Sequence, residues 1–121
     1  MSHGHEVELA DVHADTARAV AETMQALAAP SRVRILSHLG AGACSVTELA
    51  AAVGMGQPAV SQQLRVLRHL GLVTGTREGR RVVYQLHDPH VRALLEEAIS
   101  HTEHIRLGLN GHVAEASVVV A

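Results

Sequence analysis

The near absence of aromatic residues is the feature that most constrains how this chain folds. Among 121 residues there is one Tyr and no Phe or Trp, although 47% of the residues are hydrophobic. A core must therefore be built from Leu, Val, Ile, Ala and Met, which suit the apolar faces of short helices. The length is typical of a single domain. The lack of aromatic stacking platforms also excludes the usual single-strand and RNA-binding modules.

Hydrophobic periodicity and helix-end signals predict three helices in the first half of the chain. Apolar residues recur at helical spacing over residues 15–29, and a second helix is expected over 31–39, ended by the glycine that follows. Ser45 and Glu48 have the spacing of a capping box. They predict a short third helix that stops at Gly54.

A fourth helix and a hairpin are predicted next. Gln57 and Pro58 have the character of a helix cap and a first helical residue, and Gly71 marks the end of this helix. Two helices joined by a tight, glycine-containing turn are typical of a helix-turn-helix. The β-rich stretches 72–74 and 82–86 lie on either side of a basic four-residue turn at 77–80, which predicts a hairpin. A basic hairpin directly after a helix-turn-helix is a wing.

The remaining segments complete the predicted domain. Asp88 and the proline after it begin a last long helix with an apolar stripe, expected to end near Gly108. The fold class is therefore mainly α with a small β-hairpin, a winged helix-turn-helix occupying residues 14–108. Residues 1–13 are predicted to be a disordered, histidine-containing arm, and residues 109–121 a disordered tail.

The charge of the chain is divided along its length. The net charge is −2, but residues 1–31 carry −4, residues 32–81 carry +5 and residues 82–121 carry −3. Every cationic residue is Arg, which contacts phosphate and guanine in a bidentate manner. Because the basic segment coincides with the predicted helix-turn-helix and wing, the acidic net charge does not argue against double-stranded DNA as a partner.

Four segments follow one another in the predicted elements: AAPSRVRIL at 28–36, QPAVSQQLRVL at 57–67, GLV at 71–73 and GRRVVY at 79–84. With this order of elements, the chain resembles the ArsR/SmtB family of winged-helix, metal-sensing transcriptional regulators. The four segments occur in the family's order within residues 16 to 107. The resemblance implies a homodimer joined through the first and last helices, which binds operator DNA and regulates transcription.

The resemblance also implies which residues contact DNA. The fourth helix would enter the major groove, and the wing would contact phosphate or the minor groove. The residues expected at these positions are Gln57, Ser61, Gln62, Arg65, Arg77, Arg80 and Arg81. The alternative is that these arginines form a solvated surface without a partner.

Two pairs of possible metal ligands lie at the two ends of the last helix. His101 and His104 are three residues apart and therefore share one helix face. Asp88 and His90 lie too far away to join them, because eleven helical residues separate His90 from His101 by roughly 16 Å. The pairs can converge only if two such helices pack antiparallel across a two-fold axis, which predicts two equivalent sites per dimer. The alternative is an ordinary helix cap at Asp88 and surface histidines.

The ligand types indicate which metal would bind. Three imidazoles and one carboxylate suit Zn(II), or Ni(II) and Co(II) if further ligands arrive. The start of the chain, with His3 and His5, resembles the nickel- and cobalt-sensing branch of the family. This resemblance implies that an N-terminal histidine and the terminal amine complete a six-coordinate shell. We therefore predict Ni(II), with Co(II) or Zn(II) as alternatives.

Several other classes of protein are disfavoured. The single cysteine, Cys44, permits no internal disulfide, and it leaves open a rival interpretation: a winged-helix regulator that has no effector or responds to redox change through Cys44. The sequence has no His-Glu-x-x-His motif and no nucleophile elbow, so we expect neither an enzyme nor a small-molecule substrate. No apolar run is long enough for a bilayer and the N-terminus is unlike a signal peptide, so we expect a cytoplasmic protein without a membrane partner.

Overall fold

A computed structural model describes residues 7–115 of the chain, with side chains over 7–108. This part contains five α-helices and a three-stranded antiparallel sheet. In chain order the elements are α1 (Ala14–Ala26), α2 (Pro30–Ala41), β1 (Cys44–Ser45), α3 (Val46–Val53), α4 (Gln57–His69), β2 (Val73–Glu78), β3 (Arg81–Leu86) and α5 (Pro89–Glu115). One 3-10 turn, Leu9–Asp11, precedes α1. The predicted fold class, mainly α with a small hairpin, is confirmed.

The ends of α3 follow the local sequence signals. The Ser45 hydroxyl accepts a hydrogen bond from the Glu48 backbone N–H at 3.2 Å, and the Glu48 carboxylate accepts one from the Ser45 backbone N–H at 2.8 Å. The backbone hydrogen bond from Ser45 is the main reason that the pKa of Glu48 is lowered. At the other end, Gly54 has φ 69°, which a residue without Cβ adopts at little cost. The predicted capping box and stop are both confirmed.

The bounds of α1 and α2 differ from the prediction. Helix α1 ends at Ala26 rather than at residue 29, because Ala29 precedes a proline and takes an extended conformation, with φ −137° and ψ 129°. Helix α2 continues through Gly40, which was expected to end it. Gly40 is buried within the helix, and a Cβ there would meet the Leu86 side chain at 3.4 Å, an ordinary contact distance.

The bounds of α4 also differ slightly. Its N-cap is Gly56, so Gln57 is its first residue rather than its cap. The helix ends at His69, two residues before the glycine expected to mark its end. Gly71 has φ 76° and its N–H donates to the Arg68 carbonyl at 3.0 Å, so it caps the C-terminus of the helix without being part of it.

The sheet contains a strand that the sequence did not predict. The two-residue strand β1 pairs antiparallel with β3, with Cys44 opposite Tyr84. Strands β2 and β3 form the predicted hairpin, but β2 continues to Glu78 and β3 begins at Arg81. The turn is therefore two residues long, with Gly79 at φ 67°, and shorter than the four-residue turn expected.

The core is aliphatic and lies between α2, α3, α4, the sheet and the start of α5. Its fully buried side chains are Ile35, Leu36, Leu49, Val60, Leu64, Leu67 and Val73. Helix α1 contributes little to it, since Ala26 is its one buried residue. The long helix α5 contributes Val91 and Leu95 from its first two turns.

Helix α5 is longer than predicted. The Asp88 carboxylate accepts hydrogen bonds from the backbone N–H groups of His90 at 2.9 Å and Val91 at 3.2 Å, which confirms the predicted cap. The predicted end near Gly108 is wrong, because α5 runs to Glu115. Gly108 and Gly111 both lie inside this helix, and each interior glycine costs only about 1 kcal/mol, which does not force the helix to end. Residues 109–115, predicted to belong to a disordered tail, thus continue α5, while the division of the chain into domains at residues 13 and 108 stays a prediction.

Candidate nucleic-acid interface and metal centre

Helix α4 presents a polar outer face opposite its buried one. Val60, Leu64 and Leu67 are buried against the core. Three of the four predicted DNA-contacting side chains of α4 are exposed, and Ser61 is half-buried; the exposed ones are Gln57, Gln62 and Arg65. Arg65 donates to the Gln62 side chain at 3.3 Å. This face therefore combines a cation with amide and hydroxyl groups, which can bond to base edges and phosphates.

The hairpin places further arginines on the surface. Arg77 and Arg80 are exposed at the far end of the β2–β3 hairpin. Arg81 is also exposed, but its Nη1 lies 3.6 Å from the Glu48 carboxylate. Exposed pairs of this kind contribute little stability. The contact nevertheless directs Arg81 toward the start of α3.

Two arginines of the basic middle segment form hydrogen bonds within the protein. Arg34 donates to the Val53 carbonyl at 2.9 Å, at the end of α3. Arg32 donates to the Gln63 side chain at 2.7 Å. No sequence signal distinguishes these side chains from Arg65 or Arg80, because only packing decides which group each one meets.

The first pair of predicted metal ligands lies at the start of α5. The His90 side chain is 90% exposed, and its Nδ1 lies 3.6 Å from Asp88 Oδ1. Since Oδ1 also receives the two backbone hydrogen bonds of the helix cap, Oδ2 is the oxygen better placed to bind a metal. That oxygen lies 3.9 Å from the imidazole of His87.

The second pair lies near the middle of α5. His101 and His104 are exposed and share one helical face. Within residues described here, no group of three or more His, Cys, Asp or Glu side chains of one chain is placed to hold a metal ion. One chain therefore does not bring the two pairs together. His3 and His5 lie outside the described residues.

Cys44, the one cysteine of the chain, is buried. The thiol is buried at the edge of the sheet. Burial, and secondarily the nearby Glu48 carboxylate, raises the pKa of Cys44. The thiolate needed for rapid oxidation or metal binding is therefore disfavoured.

An apolar surface extends over α1 and α5. Val20 and Met24 of α1 are exposed, as are three large apolar residues of α5: Ile99, Ile105 and Leu107. An open groove of about 310 Å³ lies between the segment after α1, the start of α2 and the face of α5, and it is lined by Leu27, Val33, Leu95, Ala98, Ile99, Thr102 and Glu103. An exposed apolar patch of this kind usually marks a protein interface. No helix among those described has both the length and the apolarity to cross a membrane.

These features define the class of protein. A helix-turn-helix whose second helix has a polar outer face, followed at once by an arginine-bearing hairpin, is a winged helix-turn-helix DNA-binding regulator. Residues 29–74 match the profile of bacterial regulatory proteins of the arsR family. The chain belongs to this ArsR family of transcriptional regulators.

Similarity to individual proteins extends over most of the chain. It is 55% identical over 112 residues to the HTH-type transcriptional regulator NmtR of Mycobacterium tuberculosis, covering 88% of this chain and 93% of that protein. It is 45% identical to a transcriptional repressor SmtB homologue of Synechocystis, covering 74% and 67%. Each of these relatives is named as a regulator of transcription rather than as an enzyme.

Solved structures share the fold. The solution structure of apo-NmtR has a TM-score of 0.68 and 56% sequence identity, covering 84% of this chain and 89% of that one. A homodimeric winged helix-turn-helix domain from Mycobacterium bovis has a TM-score of 0.72 and 33% identity, covering 78% and 89%. The predicted family and fold are thereby confirmed.

Proposed function

We propose that this protein is a homodimeric, metal-responsive regulator whose affinity for operator DNA changes when Ni(II) or Co(II) binds, with Zn(II) as the alternative ion. Each of two equivalent sites would take Asp88 and His90 from one subunit and His101 and His104 from the other. His3 and His5 would add ligands for a six-coordinate ion. The protein's own ligands would thereby link the two subunits.

The observation that carries this proposal is the placement of the two ligand pairs on α5. Both pairs are accessible, they lie roughly 16 Å apart along one helix, and Asp88 keeps one carboxylate oxygen outside the helix cap. Neither pair alone offers the four ligands of a closed zinc site. Two antiparallel copies of α5 would bring the start of each helix beside the middle of the other, and so would bring complementary pairs together at two equivalent positions.

The dimer is supported by the apolar surface over α1 and α5. Its residues would be left in water in a monomer, whereas a second copy would cover them. The Mycobacterium bovis relative is described as homodimeric, which supports the same arrangement here. Metal bound across such an interface would bias the relative orientation of the two α4 helices. Coupling free energies of about 1–3 kcal/mol are typical of such switches.

The proposal is tested by metal binding and DNA binding measured on the same protein. Calorimetric titration with Ni(II), Co(II) and Zn(II) is expected to give one ion per chain, hence two per dimer. Operator curves, using a duplex selected by the protein from a random pool, should shift with the effective ion. Absence of stoichiometric binding, or identical curves with and without each ion, would refute metal regulation.

Removal of single arginines from the proposed DNA surface is expected to reduce the salt dependence of binding. Arg65→Ala or Arg80→Ala would each take one phosphate contact from both half-sites, so the slope of log K against log salt should fall by roughly 1.8. Fluorescence anisotropy across a salt series measures this slope. Arg18→Ala removes a cation of α1 that is also exposed, and it should leave the salt slope unchanged. Unchanged slopes in both test variants would mean that the DNA surface lies elsewhere.

Removal of residues 1–5 is expected to affect the binding of Ni(II) but not the binding of Zn(II). If His3 or His5 completes a six-coordinate shell, truncation should weaken Ni(II) binding and abolish the Ni(II) response while sparing Zn(II) binding. Nickel absorption spectra report the coordination number, and His13→Ala serves as a control that removes an exposed imidazole next to α1. A truncated protein with the full-length nickel affinity, spectrum and response would exclude the arm as a source of ligands.

The rival interpretation is a regulator that has no effector or responds through Cys44. Burial of the thiol and its raised pKa argue against the redox form. A regulator without any effector would be supported if the calorimetric titration showed no stoichiometric metal binding. An enzymatic role receives no support from the relatives, which are named as transcription regulators.

A further inference from the structure

Arg32 joins two helices that have different roles. It lies in the first turn of α2, and its Nε donates to the side-chain oxygen of Gln63 in α4 at 2.7 Å. Its Nη1 also reaches the carbonyl of Ala26, the last residue of α1, at 3.4 Å. One half-buried guanidinium therefore contacts both α1 and the inner side of α4.

Both contacts suit the chemistry of arginine. The last carbonyls of a helix have no partner inside the helix, and the negative end of the helix dipole attracts a cation. The guanidinium is planar and holds its donors in a fixed fork, so it keeps its two acceptors at a fixed separation. The Nε bond is short and charge-assisted, which is the stronger kind of hydrogen bond.

Helix α1 has few other attachments to its own domain. Ala26 is its one buried residue, and Val20 and Met24 are exposed. In the proposed dimer the position of α1 would be set by the second copy that covers it. The hydrogen bonds of Arg32 then connect α1, which lies in the dimer interface, to α4, the helix that faces DNA.

We propose that Arg32 is a positioning residue that transmits the placement of α1 in the dimer to α4 through Gln63. This inference rests on the proposed function, because it requires the second subunit. Arg32 need not contact DNA or metal. Its role is to narrow the range of orientations that the two α4 helices adopt relative to each other.

The experiment measures the distance between the two α4 helices without DNA or metal. A nitroxide is placed at Arg68→Cys, an exposed position in the last turn of α4, and the intersubunit distance distribution is recorded by double electron–electron resonance. Cys44 stays unlabelled because it is buried and its thiol pKa is raised. Arg32→Gln and Gln63→Ala are each expected to broaden the distribution about twofold, and the double variant no further, since both remove one interaction.

Two controls separate positioning from general loss of stability. Gln63→Glu keeps the acceptor oxygen and should retain the narrow distribution. Arg34→Gln makes the same change of charge in α2, but it breaks a bond to the end of α3 instead. It should lower the melting temperature by about as much as Arg32→Gln without broadening the distances.

The outcomes distinguish this inference from the proposed function. An unchanged distribution in Arg32→Gln, or equal broadening in Arg34→Gln, would overturn the role of Arg32 alone. A dimer that shows the expected broadening but binds none of the three metals would support it while refuting metal regulation. A monomer, which yields no intersubunit distance, would overturn both.

Discussion

Mixing two variants that each lack metal binding is expected to restore one metal site per dimer. The first variant, Asp88→Asn with His90→Ala, keeps His101 and His104, and the second, His101→Ala with His104→Ala, keeps Asp88 and His90. In a heterodimer one site receives all four ligands and the other receives none. Asn at position 88 preserves the helix cap of α5, because Asn caps helices as well as Asp does.

The heterodimer is obtained by co-expression with two affinity tags and titrated with Ni(II) and Zn(II). Both homodimers are expected to bind at least about 100-fold more weakly than wild type, since loss of ligand-supporting groups alone costs up to that factor. The heterodimer should bind one ion with near wild-type affinity. His38→Ala removes an exposed imidazole of α2 and should retain two ions per dimer. A heterodimer as weak as its parents would place the site within one chain or exclude it.

Ile99→Asp is expected to convert the dimer to a monomer. Ile99 is 43% exposed in the single chain and lines the groove beside Leu27 and Val33. A second copy covering this groove would bury two carboxylates without partners, at a cost of several kcal/mol. Because each 1.4 kcal/mol is a factor of ten, the dimer dissociation constant should rise about 100-fold or more. Operator affinity and metal binding should both fall with it.

Sedimentation velocity at micromolar concentration measures this change, and circular dichroism verifies that the helices remain. Leu70→Asp introduces the same charge at a residue of similar exposure, 38%, outside α1 and α5. This control should stay dimeric. A dimer that survives Ile99→Asp would show that its interface does not use the groove, and the intersubunit metal site would lose its geometric basis.

The sequence by itself determined the features that depend on neighbours along the chain. The capping box at Ser45 and Glu48, the stop at Gly54 and the cap at Asp88 each involve residues within four positions of one another. The aliphatic core followed from the residue types available. The outer face of α4 followed from the spacing of its apolar residues, since a helix with one buried face exposes the other.

The tertiary structure alone decided the features that depend on distant neighbours. Strand β1 exists because β3 offers it hydrogen bonds, and α2 continues through Gly40, which is buried in the fold. The arginines at 32, 34 and 81 contact Gln63, Val53 and Glu48 only because folding brings these groups together. An arginine therefore either bonds to another part of the chain or stays free on the surface, depending on which groups folding brings near it. Residue type and sequence spacing do not encode which groups these are.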